Sequence, residues 1–184
     1  MNAKEIKNIL LKELKDSKKT YLIVNKSENF QSGNIMILNH LIVKMKLCGI
    51  YVTLNRPYPS ISTLLEKDNI DVSKLFFVDC TGNNLAKNIK TDKCDFLNNS
   101  QSLTELSLMI TKLINLGKFD FLFLDSISTL LVYNNLETTE KFMHYLINKL
   151  RVLNIGGVMI SLNEDKSNKL IPVISQFCDK IIKI

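Results

Sequence analysis

Paired cysteine motifs and long apolar runs are both missing from this chain of 184 residues. The four cysteines form no CxxC pair and have no histidine at ligand spacing, which argues against a metal site or a disulfide framework (Cys48, Cys80, Cys94 and Cys178). The longest apolar runs are only strand-sized, so we expect no membrane-spanning helix. The first residues are charged throughout and lack the apolar core of a signal peptide. These absences together predict a cytoplasmic protein with free thiols.

Arginine is also scarce, although the formal net charge is +6. Nearly all of the positive charge comes from lysine, and Arg56 and Arg151 are the only arginines. A basic chain is compatible with nucleic-acid binding. The chain is equally rich in asparagine and isoleucine, which is typical of an AT-rich coding sequence, and lysines on solvated helix faces explain the charge without a partner. A nucleic-acid partner is therefore an alternative that the composition does not favour.

Apolar segments of strand length alternate with segments of helical periodicity. Because the predicted strands are apolar on both faces, they indicate an α/β domain whose parallel sheet is covered by helices on both sides. We predict one domain over residues 1–184, with an amphipathic helix in 1–18 and the core in 19–184. The polar segment 81–101 is predicted to be irregular. The predicted strands are 20–25, 50–54, 74–80, 119–125, 156–162 and 180–184, and the main predicted helices are 2–17, 32–48, 60–68, 102–116, 136–153 and 170–178.

Four segments resemble a known superfamily. The run "FDFLFLDSISTLL" (119–131), followed by "FMHYLINKLRVLNIGGVMISL" (142–162), resembles the Walker B strand, the next helix and the next strand of RecA-like ATPases, above all of their KaiC-like archaeal members. Residues 49–80 are similar to the second and third strands of that family, and 174–184 to a later strand. The resemblance covers roughly residues 18–184. It implies a three-layer fold with a mostly parallel sheet in the order 3-2-4-5-1-6 and a nucleotide at the carboxyl ends of the strands.

The loop "NKSENFQS" (25–32) stands where this superfamily has its phosphate-binding Walker A loop. Aligned with the pattern GxxxxGK[ST], Asn25 and Phe30 replace the two glycines, Gln31 replaces the lysine, and only Ser32 matches. The glycines allow successive backbone N–H groups to turn toward phosphates, and a phenylalanine side chain obstructs that approach. Glu28 adds a negative charge. We therefore predict a degenerate Walker A loop.

A second departure from the family lies after the second predicted strand. KaiC-like ATPases generally carry catalytic glutamates there, whereas this chain has Asn55, Arg56 and Pro57. An arginine cannot act as the general base, and an asparagine can at best orient a water molecule. Asp125 is retained at the Walker B position, although an aspartate at a strand end can also serve only to cap the following loop.

Two further segments carry polar-tipped aromatic residues at the predicted carboxyl edge of the sheet, where α/β proteins form ligand sites. Tyr58 lies with Asn55 and Arg56 in the proline-containing turn "NRPYP" (55–59). Tyr133 lies in "LLVYNNL" after Asp125, which we predict to be a loop. We regard Asn55, Arg56, Tyr58 and Tyr133 as candidate ligand or partner contacts.

Three functional hypotheses follow. The first is a non-catalytic RecA/KaiC-like domain, without a cofactor, that acts as a regulatory or adaptor protein and contacts either an active ATPase of the same class or another copy of itself. The second is a nucleotide-binding ATPase in which Ser32, Asp125 and Lys26, which would replace the missing lysine, hold ATP and Mg²⁺. The third is a RecA-like protein that binds nucleic acid.

Overall fold

A parallel β-sheet of seven strands forms the centre of the molecule. The computed structural model describes residues 2–82, 91–97, 102–163 and 169–184. Along the sheet the strands follow the order β4-β3-β2-β5-β6-β1-β7, and all the pairings are parallel. The strands are β1 (Thr20–Asn25), β2 (Gly49–Thr53), β3 (Leu75–Asp79), β4 (Cys94–Phe96), β5 (Phe121–Asp125), β6 (Gly156–Leu162) and β7 (Lys180–Lys183).

The six strands predicted from the sequence correspond to β1, β2, β3, β5, β6 and β7. Their order in the sheet is the order 3-2-4-5-1-6 that the resemblance implies, so the predicted fold class is confirmed. The additional strand β4 extends the sheet beyond β3, and it corrects the prediction that all of 81–101 is irregular. Backbone pairing with β3 and burial of the Cys94 side chain hold these three residues in the sheet. Residues 83–90 and 98–101 of that segment lie outside the described residues.

Within the described residues, one α-helix precedes the first strand and six follow it: α1 (Ala3–Glu13), α2 (Phe30–Leu38), α3 (Tyr58–Lys67), α4 (Leu103–Ile114), α5 (Ile127–Tyr133), α6 (Leu136–Val152) and α7 (Ile171–Ser175). A π-helical turn, Asn39–Lys44, continues α2. The helix α1 begins with a capping box, in which Asn2 and Glu5 exchange hydrogen bonds with each other's backbone N–H groups. Tyr133 ends α5, so the prediction that it lies in a loop was wrong. None of the helices in the described ranges has the length and apolar character needed to cross a membrane.

The hydrophobic core has two parts, one on each face of the sheet. Side chains alternate between the faces along each strand, so that in β1 Ile23 faces one part while Leu22 faces the other. Apolar residues of α1, α2 and α3 pack on the first face, and those of α4, α5, α6 and α7 pack on the second. This arrangement explains why the strands are apolar almost throughout, because neither face of a doubly covered parallel sheet meets water.

Candidate functional site

The carboxyl ends of the parallel strands bring polar residues from distant parts of the chain to one edge of the sheet. In the strand register, Thr53 at the end of β2 lies opposite Asp79 at the end of β3 and Asp125 at the end of β5. Asn25 ends β1 on the same edge. In α/β proteins this edge is where ligands bind. The edge at Asp125 is therefore the candidate site.

Asp125 is 5% exposed, and both of its carboxylate oxygens accept hydrogen bonds. The hydroxyl of Tyr51 donates to Oδ2 at 2.6 Å, and the amide of Asn55 donates to Oδ1 at 3.0 Å. The Thr129 hydroxyl donates in turn to the amide oxygen of Asn55. Residues from β2, the following turn, the end of β5 and α5 thus form one hydrogen-bonded group around the carboxylate.

Burial has the largest influence on the pKa of Asp125. It raises the pKa of Asp125 above its ordinary value of 3.8, while the hydrogen bonds from Tyr51 and Asn55 act in the opposite direction. Burial, followed by the adjacent Asp125 charge, raises the pKa of Tyr51 well above 10.0. Tyr51 therefore keeps its proton and remains a hydrogen-bond donor.

Three backbone N–H groups at the loop after β1 are hydrogen-bonded, two within the loop and one to the last residue of the chain. Residues Ser27–Asn29 form a single 3₁₀ turn that leads directly into α2. The Lys26 N–H donates to the carbonyl of Ile184 at 3.0 Å, and the Asn29 N–H donates to the carbonyl of Lys26 at 3.0 Å. The Phe30 N–H donates to the carbonyl of Ser27. These three donors are already bonded to carbonyl groups of the chain.

The side chains predicted to hold a nucleotide in this loop are exposed. Ser32 is the third residue of α2, so the helix that was predicted to begin at residue 32 begins two residues earlier. The helix begins earlier because Phe30 and Gln31 continue directly from the 3₁₀ turn, and the Ser32 hydroxyl donates to the carbonyl of Asn29 at 3.2 Å. The side chain of Lys26 is exposed, as is that of Glu28.

Sequence reasoning missed a buried amide pair beneath this loop. The Asn25 amide donates to the amide oxygen of Asn34 at 3.2 Å, and both residues are buried. A Cβ atom on Gly33 would lie 3.1 Å from the Ile184 side chain and 3.3 Å from the Asn25 amide nitrogen. Glycine at this position allows α2 to approach the end of β1. The available sequence signal was a glycine beside an asparagine inside a helical segment, downstream of an apolar strand that ends in asparagine.

Arg56 lies on the exposed rim of the site. Its guanidinium donates to the side-chain oxygen of Gln31 at 2.8 Å, which links the turn after β2 to the start of α2. The Thr53 hydroxyl donates to the carbonyl of Arg56 at 2.5 Å and thereby fixes the turn. Arg56 is an exposed cation near Asp125, and its charge acts to lower the pKa of that carboxyl.

Tyr58 contacts β3 through both its backbone and its ring. Its backbone N–H donates to the carboxylate of Asp79 at 2.7 Å at the start of α3. Its half-buried ring packs edge-on against Phe77, with the ring centroids 5.0 Å apart. Tyr133, in contrast, is 44% exposed at the end of α5, next to the exposed Val132.

A cavity of about 210 Å³, which we call the Asp125 cavity, opens between α2, α3 and the ends of β2 and β5. Of the residues singled out from the sequence as possible contacts, Asn55, Arg56 and Asp125 line it. Ser32, Lys26, Tyr58 and Tyr133 are not part of its wall. Across the part of the chain that the structure describes, no three histidine, cysteine or acidic side chains are placed to share a metal ion. The remaining wall comprises Phe30, Gln31, Asn34, Ile35, Leu38, Tyr51, Ile61, Leu64 and Leu65.

No protein-family model and no curated protein matches this sequence. Among solved structures, the chain is similar to the KaiC-like protein PH0186 from the hyperthermophilic archaeon Pyrococcus horikoshii OT3, with a TM-score of 0.66 and 12% sequence identity. The similarity covers 91% of this chain and 71% of that one. At this level of identity the similarity concerns the fold. The chain has a RecA/KaiC-like fold, as the resemblance of its sequence segments implied.

Proposed function

We propose that this chain is a non-catalytic RecA/KaiC-like domain that acts as a regulatory or adaptor protein through protein–protein contacts and does not turn over ATP. The observation that carries the proposal is the state of Asp125. Its two oxygens already accept hydrogen bonds from Tyr51 and Asn55, so the residue serves to join the ends of β2 and β5.

Binding of a Mg²⁺ nucleotide would weaken the bonds that Asp125 accepts. A metal ion bound directly to the carboxylate would share its oxygens with the bonds from Tyr51 and Asn55, and a hydrogen bond to a charged group contributes about 1.5–3 kcal/mol. The phosphates would also need N–H donors from the loop after β1, where those of Lys26, Asn29 and Phe30 are already bonded. Both costs oppose nucleotide binding at this edge.

Thermal unfolding with and without millimolar MgATP, MgADP or MgGTP tests this proposal. A ligand present at about 100 times its dissociation constant stabilises the folded state by about 2.7 kcal/mol, which raises the melting temperature by a few degrees. We expect no shift with any of the three nucleotides and no phosphate release from ATP. A shift that disappears in Asp125→Ala would overturn the proposal.

The form of protein contact that can be tested with this chain alone is self-association through the end of α5. Val132 and Tyr133 are adjacent there, 65% and 44% exposed. Sedimentation velocity over a range of protein concentrations would measure the association. We expect Val132→Ser/Tyr133→Ser to weaken it, and Leu108→Ser, which removes a similarly exposed side chain from α4, to leave it unchanged. A wild-type protein that is monomeric throughout would exclude self-association and leave a different protein as the partner.

The Asp125 cavity favours one alternative, a nucleotide-binding protein with an unusual pocket. Its wall combines the carboxylate of Asp125 with the guanidinium of Arg56, and it lies at the edge of the sheet where ligands bind. This alternative predicts that Lys26→Ala and Asp125→Ala each weaken nucleotide binding in a direct titration. If neither variant does so, the alternative is wrong.

A further inference from the structure

A larger cavity lies between α1 and α2, on the face of the sheet that these two helices cover. We call it the α1–α2 cavity, and its volume is about 520 Å³. Leu11 of α1 and Ile35 and Met36 of α2 supply apolar wall. Three lysines stand in the same wall, namely Lys4 and Lys7 from α1 and Lys44 from the π-helical turn. The cavity is separate from the Asp125 cavity, although Ile35 contributes to both walls.

Positive charge dominates the wall of the α1–α2 cavity. Asp68 is the only acidic residue among the residues that line it. Within the described residues, the ion pairs join Lys141 to Glu137, Arg151 to Asp179 and Lys180 to Glu13, so the three cavity lysines take part in none of them. Lys4 and Lys7 are three residues apart and therefore project from the same side of α1. An anionic group at this wall would meet ammonium groups that have no carboxylate partner among the described residues.

The two helices that form the cavity are joined at one end. The Nε2 atom of His40 lies 2.8 Å from the carbonyl of Leu14, just after α1. Because a carbonyl oxygen can only accept, the imidazole donates from Nε2 in this bond. In the π-helical turn the Met45 N–H donates to the carbonyl of His40 at 3.0 Å, and this wider turn carries Asn39, His40 and Lys44 in the cavity wall. Such π-helical turns occur frequently at functional sites.

Because the wall combines apolar side chains with three lysines, we propose that the α1–α2 cavity binds a small anionic amphiphile. Such a molecule has one apolar chain and a carboxylate or phosphate head group. The apolar chain lies against Leu11, Ile35 and Met36, and the head group lies near Lys4, Lys7 and Lys44. The volume falls within the range of about 300–1,000 Å³ that small-molecule sites occupy. A cavity of this size suits a free single-chain molecule, whereas a lipid with two long chains would extend well beyond it.

Calorimetric titration with decanoate below its micelle concentration tests the proposal, with decan-1-ol and acetate as matched probes. Decan-1-ol keeps the apolar chain without the charge, and acetate keeps the charge without the chain. We expect saturable binding of one decanoate per protein, and weaker binding of the other two, because only decanoate can use both the apolar wall and the lysines.

Two double variants distinguish binding by the cavity lysines from attraction by the net charge of the protein. Lys4→Ala/Lys7→Ala removes two positive charges from the cavity, and Lys12→Ala/Lys15→Ala removes two exposed charges from the same end of the chain outside it. We expect the first variant to raise the dissociation constant for decanoate about twofold to thirtyfold, because it loses two exposed ionic contacts. The second should leave it unchanged, and neither should alter decan-1-ol binding. The melting temperatures of both variants would show that each is folded.

Three outcomes would overturn the proposal. The first is the absence of saturable decanoate binding to the wild-type protein. The second is equal weakening in the two double variants, which would indicate attraction by net charge alone. The third is binding to vesicles of phosphatidylcholine and phosphatidylglycerol without binding of monomeric decanoate, which would indicate a membrane surface as the ligand.

Discussion

The Asp125 cavity and the α1–α2 cavity both combine apolar walls with charged side chains, but the charged groups are partnered differently. Asp125 accepts hydrogen bonds on both oxygens, and Arg56 donates to Gln31. The lysines of the α1–α2 cavity take part in no ion pair within the described residues. A ligand entering the first cavity would have to share or replace these bonds, whereas an anion entering the second would meet lysines that take part in no ion pair within the described residues. We therefore expect the availability of a side chain to indicate binding better than its position in a motif does.

Tyr51→Phe should give the largest effect. It removes the hydroxyl that donates to Asp125 and leaves a buried carboxylate oxygen without that donor, which costs about 1–3 kcal/mol. Urea unfolding would measure the loss in the free energy of unfolding. Tyr133→Phe makes the same chemical change at an exposed position and should have almost no effect. Equal effects of the two substitutions would contradict a structural role for the Tyr51–Asp125 bond.

Asn55→Ala should be the next most destabilising change. The variant loses the bond to Asp125 and the one from Thr129. Because Asn55 is exposed, water can replace part of what is lost, and we expect a cost of about 0.5–1.5 kcal/mol in the free energy of unfolding. A loss as large as that of Tyr51→Phe would mean that water does not reach this side of Asp125.

Asp125→Asn should change how stability depends on pH. The folded-state pKa of Asp125 is raised above 3.8, so the folded protein holds this proton more tightly than the unfolded chain does. Its contribution to stability is therefore greatest below 3.8, falls as the pH rises from 3.8 to the raised pKa, and is level above it. An asparagine has no charge to bury. Urea unfolding of both proteins over this range should show their difference in stability moving in favour of Asp125→Asn as the pH rises. A difference that does not change with pH would contradict the expectation.

Lys4→Ala/Lys7→Ala should have the smallest effect on stability. Both side chains are exposed and take part in no ion pair within the described residues, so we expect a change within about 0.5 kcal/mol in the free energy of unfolding. Thermal unfolding of the variant beside the wild-type protein would measure it. A loss comparable with that of Tyr51→Phe would show that these lysines stabilise the fold and are not free for a ligand.

The fold was more predictable than the site. Apolar runs such as "FLFL" identified the strands, and helical periodicity identified the main helices. The strand β4 was missed because three residues with a single fully buried side chain give no recognisable pattern. Asp125 was singled out because it stands at the Walker B position of the segment that resembles RecA-like ATPases. Tyr51 was missed because, in the middle of the strand "IYVTL", it is indistinguishable from a residue that only packs in the core.

The loop after β1 also shows what could not be predicted from the sequence. The sequence alone indicated that the glycines and the lysine of a phosphate-binding loop are missing. It gave no indication that the Lys26 N–H would be bonded to Ile184, at the other end of the chain. That bond exists because β7 pairs with β1, so it depends on the arrangement of the whole sheet.

The sequence by itself determined the alternation of strands and helices, the burial of the strands on both faces and the absence of a GxxxxGK[ST] pattern after the first strand, because each depends on residues close together in the chain. Only the tertiary structure decided which polar groups are already bonded. Tyr51 and Asp125 are 74 residues apart, and the lysines of the α1–α2 cavity come from separate helices. Whether a side chain is free for a ligand depends on which groups lie beside it in space, and local sequence does not specify those neighbours.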